Sequence, residues 1–418
     1  MLNLFFNIFI IAILTCGTVS FGPFSLRVYM SVLMMAFLMF NRGSFKTTRN
    51  PIRVDYIYLF IVCVFALFLS LLVNGGLEEY GLMKMCLSHY LPCVLTYFAV
   101  SYFIKSKADF DKLIFVFSCI IIFDSMVTVL QYFNNPIGWG IGLLFSNEEE
   151  IESFVNYIDS HDSMMGVSKL TGIFGHPVNN GFVLSVLTPT LMARFSKDNR
   201  WIVSLYYFIV VILSITACLL LQQRAALFLL GLFVAYHIFK NKLNRTGRII
   251  VLIVLVLFFL VFFTPNENGF LESSRFSNSD NSARTSVWDL GISVFMQNIL
   301  FGNYIQFNKM SDVAAHNVFI GAMAYSGIVG LIPVVLLYFK TIFDSLKVMH
   351  SKNNYAKVFS YGVLISMMMG LFHNTSYLSG EVIIFLLLAL MFKSSILLQS
   401  YEVNRKRYPF QKAVQTLG

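Results

Sequence analysis

Two arginines and one histidine in this sequence have the side chains to move a group from a phosphate leaving group onto a hydroxyl. Arg224 ends the polar turn Gln222-Gln223-Arg224 between two apolar runs. Arg284 lies in the amphipathic stretch Ser282-Ala-Arg-Thr-Ser-Val-Trp-Asp-Leu-Gly-Ile-Ser-Val-Phe, and His316-Asn317 heads another apolar run. A guanidinium is permanently charged, and its fork matches phosphate oxygens. An imidazole at the positive end of a helix is disfavoured as a cation and is left neutral, able to take a proton from a hydroxyl. Each also has an ordinary reading: Arg224 as an anchor to lipid headgroups, Arg284 as a solvated loop residue, His316 as a structural boundary residue.

Weaker candidates surround these three. Arg275 precedes the Arg284 stretch, in which Ser282 is expected to cap a helix, Arg284 to sit in its first turn beside free N–H groups, and Trp288 to rest at the membrane interface. The segment Thr171-Gly-Ile-Phe-Gly-His176-Pro177-Val-Asn179-Asn180 specifies a tight turn into a helix, so His176 and Asn179 are substrate-binding candidates or merely turn and cap residues. Lys84 and His89 fall in the outer half of an apolar run, and His373-Asn374 follows another. Asp124 sits inside an apolar run, where an ionisable group is expensive, and reads equally as functional or as hydrogen-bonded within a bundle. The sequence has no Walker A loop and no Asp-x-Asp or His-x-x-x-His cluster, so no ATP, metal or other cofactor is expected.

These residues need a scaffold, and the composition says which kind. Of 418 residues 57% are hydrophobic and only 12% charged, against about 25% charged in a soluble domain. Long apolar runs separated by short polar stretches read as an all-α polytopic membrane protein. Twelve spans are expected, at 2–21, 24–40, 56–73, 81–104, 113–133, 177–195, 201–221, 225–239, 249–263, 317–339, 358–372 and 381–398. The first lacks a basic leader and cleavage site and is read as retained. On this layout all the basic residues but Arg27, Lys84, Lys169, Arg224, Arg275, Arg284 and Lys309 lie on one side, which makes that side and both termini cytoplasmic. The chain is then one integral membrane domain, 1–418, with outer loops at 134–176 and 264–316. The second loop carries the amphipathic helix, and 399–418 forms a basic inner tail against anionic lipid. The net charge of +9 follows this alternation and does not suggest nucleic acid. The six cysteines all lie in apolar segments and read as core residues.

Three blocks give the chain a family likeness: Gly172-Ile-Phe-Gly-His-Pro-Val-Asn179; Gln223-Arg224-Ala-Ala; and Ala283-Arg284-Thr-x-x-Trp288 with Phe301-Gly302, His316-Asn317-x-x-Ile320 and Gly327. Together they resemble the O-antigen ligase/polymerase superfamily of bacterial envelope enzymes, over roughly Lys169 to Phe339. The resemblance implies a fold related to the C-type glycosyltransferases. It also implies a metal-independent glycosyltransferase of the bacterial inner membrane, with its active site on the periplasmic face. The donor would be an oligosaccharide on undecaprenyl pyrophosphate, and the motif residues Arg224, Arg284 and His316 would be catalytic. Asn317, Arg275, His176, Asn179, Lys84, His89, Trp288 and His373 would bind substrate. Within the superfamily an O-antigen polymerase is favoured, since the chain is Phe- and Asn-rich as such polymerases often are; a ligase is the alternative. Its partners would be the lipid-linked oligosaccharide, the bilayer, a chain-length regulator and a flippase. A secondary transporter or flippase also fits twelve spans, with Asp124 and Lys84 as a path, but it predicts inverted repeats, and none is found. A non-catalytic scaffold would not need the Arg/His set.

Overall fold

The computed structural model describes residues 2–17, 19–21, 24–41, 53–76, 86–133, 135–145, 170–175, 177–195, 200–221, 223–240, 279–311, 315–372 and 380–407. In chain order the helices are α1 (Leu2–Thr15), α2 (Leu26–Phe40), α3 (Asp55–Val73) and α4 (Leu91–Phe103), the last entered through a π-turn at Cys86–Tyr90. Then come α5 (Lys107–Tyr132), α6 (Pro136–Leu144), α7 (Pro177–Leu191), α8 (Trp201–Leu220) and α9 (Arg224–Lys240). They are followed by α10 (Ser279–Gln297), α11 (Tyr304–Met310), α12 (Val318–Met349), α13 (Asn354–Met369) and α14 (Val382–Arg407). A two-residue hairpin, β1 (Ser20–Phe21) with β2 (Phe24–Ser25), turns the chain between α1 and α2.

By length and composition, Asp55–Val73, Lys107–Tyr132, Trp201–Leu220 and Val318–Met349 are each apolar and long enough to cross a membrane. Shorter apolar helices accompany them, at Leu4–Thr15, Leu26–Phe40, Ala225–His237 and Val382–Leu397. The architecture is that of an all-α membrane protein. Expected segment 249–263 and the first residues of 81–104 lie outside the described residues; the segment expected at 2–21 is helical only to Thr15 and then enters the hairpin, and the remaining expected segments overlap helices.

Several boundaries differ from the sequence reading, each for a local reason. The helix expected from residue 113 begins at Lys107, because the Asp109 carboxylate accepts from the N–H groups of Ser106 (2.9 Å) and Lys105 (3.1 Å) and caps a polar first turn that hydropathy overlooks. The helix expected to end at 339 runs to Met349 and carries Lys340, Asp344 and Lys347 with it. Those charges are matched: Asp344 takes Arg53 at 2.7 Å and the Tyr56 hydroxyl at 2.7 Å, while Lys340 reaches Asp55 at 2.9 Å. Burial alone would lower the Arg53 pKa, but the Asp55 hydrogen bond and the Asp344 carboxylate outweigh it, and the net shift is upward. The first part of the tail expected at 399–418 continues α14 through Arg407, since no Gly or Pro intervenes before Pro409. Inside the loop expected at 134–176, Asn135 accepts from the Ile137 N–H at 2.9 Å and starts α6, with Pro136 at its first position.

The centre of the bundle is α14. Every residue from Val382 to Ser394 is buried, as expected for a helix that is apolar all round. It packs on α13 and α4; α13 packs on α7 and α12, α12 on α3, and α7 on α5, α8 and α9. Helix α10 lies against α12, with Gly291 admitting the Ile320 side chain at a place where a Cβ would be 2.6 Å from Cγ2. The ends of these helices position the site.

Candidate active site

A cavity of about 390 Å³ opens where the ends of α1, α2, α7, α12 and α14 meet. Its apolar wall comes from Ile13, Leu14, Phe174, Phe182, Val183 and Ile383; its polar groups come from Arg27, His89, Asn179, His316 and Glu381. Segments far apart in sequence are thus joined at one concave surface, which is of ordinary size for a small-molecule site at about 300–1,000 Å³.

His316 stands one residue before the cap of α12. Its backbone φ is +50°, and among the described non-glycine residues no other φ is positive. An L-residue held in this region stores about 1 kcal/mol of strain, which a fold tolerates where the surroundings enforce it. Asn317 supplies that enforcement. Its Oδ1 accepts from Phe319 N (2.9 Å) and Ile320 N (3.2 Å), and its Nδ2 donates to Leu371 O at 3.1 Å. The polar atoms of Asn317 therefore cap α12 and tie it to the end of α13.

Ten residues past Asn317, α12 breaks at Gly327, whose φ of +59° and ψ of −155° are non-helical. The Ile299–Asn303 strand of chain threads the break: Ile328 N donates to Ile299 O at 2.9 Å, Val329 N to Leu300 O at 3.2 Å, and Asn303 N to Ala324 O at 2.8 Å. From α3, Ser70 donates to Tyr325 O (2.6 Å) and Asn74 to Gly302 O (3.0 Å). The backbone groups freed by the break are satisfied inside the protein, the condition for irregular chain at membrane depth. Gly302 has φ +60°, and a Cβ there would lie 2.6 Å from Gly327 N.

A second network shapes the turn into α7. Asp124 accepts from Ile173 N at 2.9 Å, and Gln131 Oε1 from Gly172 N at 2.9 Å. With the Asn180 amide assigned so that both its atoms are satisfied, its nitrogen donates to Asp124 and its oxygen accepts from Thr128. Asp124 is thus a clamp on the Gly172–Ile173 turn, which delivers Phe174 and Asn179 to the cavity.

Of the residues selected from sequence, His316, Asn179 and His89 share the cavity. Asn317 is adjacent and engaged as a cap. Trp288 is on α10, half-buried, and its Nε1 is buried without a hydrogen-bond partner among the described residues. Arg224 is the first residue of α9; its neighbour Gln223 packs on Gly181 of α7, two residues from Asn179. Arg284 lies in α10, which starts at Ser279 and not at Ser282. It therefore falls in the second turn, where its backbone N–H is no longer one of the free ones. Seven residues, two turns, separate it from Gly291. The side chains of Arg224 and Arg284 lie outside the described residues, as do Arg275, His176, Lys84 and His373.

Two cavity residues escaped the sequence reading. Arg27 was visible only as one of the scarce basic residues on the sparsely charged face, with no motif around it. Glu381 precedes a uniformly apolar helix and reads as its boundary. They line the same cavity, within electrostatic reach of each other. Gly380, at φ +69°, leaves the room, since a Cβ there would stand 2.6 Å from the His89 Cβ. Among the described residues no group of three or more His, Cys, Asp or Glu side chains is placed to hold a metal ion.

No curated protein matches the chain. Residues 209–335, which include Arg224, Arg284, Gly302, His316 and Gly327, match the family described as O-Antigen ligase, and that match supports the likeness to the O-antigen ligase/polymerase superfamily.

Proposed function

We propose that this protein is a glycosyltransferase that polymerises undecaprenyl-pyrophosphate-linked repeat units into O-antigen or a related surface polysaccharide at the periplasmic face of the inner membrane. The general activity follows the family, whose members are glycosyltransferase-like. The observation that carries the reading is the meeting of His316, Asn179 and His89 in a cavity with an apolar wall. In this reading the bundle has twelve spans, is related to the C-type glycosyltransferases, and sends 134–176 and 264–316 to the periplasm.

His316 takes the proton from the acceptor sugar hydroxyl, making it nucleophilic toward the anomeric carbon. The C–O bond to the diphosphate breaks as the new glycosidic bond forms on the opposite side, so the linkage inverts. Arg224 and Arg284 offset the charge that develops on the departing diphosphate. The apolar helix faces hold the polyprenyl tail in the bilayer. No step in this scheme uses a metal.

A second reading is supported by the description of the matched family itself: an O-antigen ligase, transferring finished glycan to lipid A–core. Lipopolysaccharide from a deletion strain separates the two. Loss of the ladder with single repeat units still attached fits the polymerase; complete loss of attached glycan fits the ligase. An Arg284→Ala/His316→Ala double variant that is well expressed and still makes long-chain polysaccharide would refute both.

A further inference from the structure

Arg27 and Glu381 both line the cavity, and the transfer chemistry above uses neither. The Arg27 guanidinium lies over Gly17: a Cβ on that residue would stand 2.6 Å from Cζ. Its Nε is buried and has no hydrogen-bond partner among the described residues. A buried guanidinium donor left without an acceptor is costly, and an oxygen of a bound ligand is one way to satisfy it. The acceptor must be anionic to make full use of a permanently charged fork. Glu381 is the carboxyl group within electrostatic reach of Arg27, and it lines the same cavity.

We propose that Arg27 contacts a phosphate oxygen of the lipid-linked diphosphate, and that Glu381 is its counter-ion in the empty cavity. This rests on reading the cavity as the site of a diphosphate substrate. When the diphosphate enters, it takes over the guanidinium, and the Glu381 carboxylate turns to the hydroxyl groups of the attached sugar. Glu381 therefore opposes binding of a bare diphosphate and favours one that carries a sugar. Gly17 is a positioning residue: it leaves the space in which the guanidinium lies.

The test is binding of inorganic pyrophosphate to the purified full-length protein in detergent, measured by calorimetry, with no glycosyl transfer involved. Arg27→Ala is expected to raise Kd by about tenfold or more, with Arg27→Lys recovering part of the loss. Glu381→Gln is expected to tighten pyrophosphate several-fold. Gly17→Ala keeps every charge and displaces only the flexible end of Arg27, so it should weaken binding in the same sense even if Arg27→Ala folds poorly. A parent protein that does not bind millimolar pyrophosphate, or an Arg27→Ala Kd within about twofold of the parent while Arg284→Ala loses affinity, overturns the proposal. Because the readout is binding, its failure is separate from that of the His316 test, which reads polymer.

Discussion

At the scale of single residues, the left-handed backbone of His316 separates two properties that mutation usually confounds. Glycine adopts φ +50° without penalty and alanine does not, so His316→Gly should be about 1 kcal/mol more stable than His316→Ala, although both lose the ring and both should lose polymer. Thermal melts of the two variants in detergent check this; a glycine variant that melts below the alanine variant would show that the surroundings do not enforce the strain. His316 was legible because a histidine at the head of an apolar run is uncommon. Asn317 was legible as a neighbour but not as the cap of α12, since a cap depends on where the helix begins, and hydropathy does not register that. Arg27 was illegible: Glu381 lies more than 350 residues away in sequence, and only the packing of both α14 and α2 on α4 brings them to one cavity.

At the scale of elements, the break in α12 is the feature most dependent on residue type. Gly327 combines φ +59° with a Cβ position 2.5 Å from the Leu300 carbonyl carbon, so strain and collision add. Gly327→Ala should cost roughly 2–4 kcal/mol and lower the yield of folded protein; a thermal midpoint equal to the parent's would contradict the geometry. The sequence contained both glycines and Phe301, and family likeness pointed at them, but periodicity read straight through the break because the residues on either side remain apolar. The same blindness extended α12 too little and α5 too little: charged turns look like ends until an ion pair or a capping box is seen to absorb them. The helix at Pro136–Leu144 needed only the Asn-Pro start that was in view, yet its brevity hid it inside a long loop.

At the scale of the whole molecule, the end of the bundle away from the cavity is held by a charge cluster rather than by shape. Asp344 joins α12 to the start of α3 by accepting from Arg53 and from the fully buried Tyr56. Asp344→Ala removes one acceptor from each, leaving the hydroxyl with Lys340 O at 3.2 Å and the half-exposed guanidinium with Asp55 at 3.0 Å, and should destabilise by about 1–2 kcal/mol after discounting Arg53 for solvent screening. Melts at low and high salt would show a loss that salt narrows only in part; no loss at either would mean the cluster is ornamental. The membrane class and most helices were readable from composition, because twenty-residue apolar runs have few other uses. Which helix ends meet was not readable, because that is decided by packing around α14, whose own sequence is nearly featureless. The hairpin between α1 and α2 brings Gly17 back onto Arg27 after only ten residues. The leading helix thereby becomes a workbench for the guanidinium rather than one more strut: trimming or fusing the amino terminus would be felt at the substrate before it was felt in the melting curve.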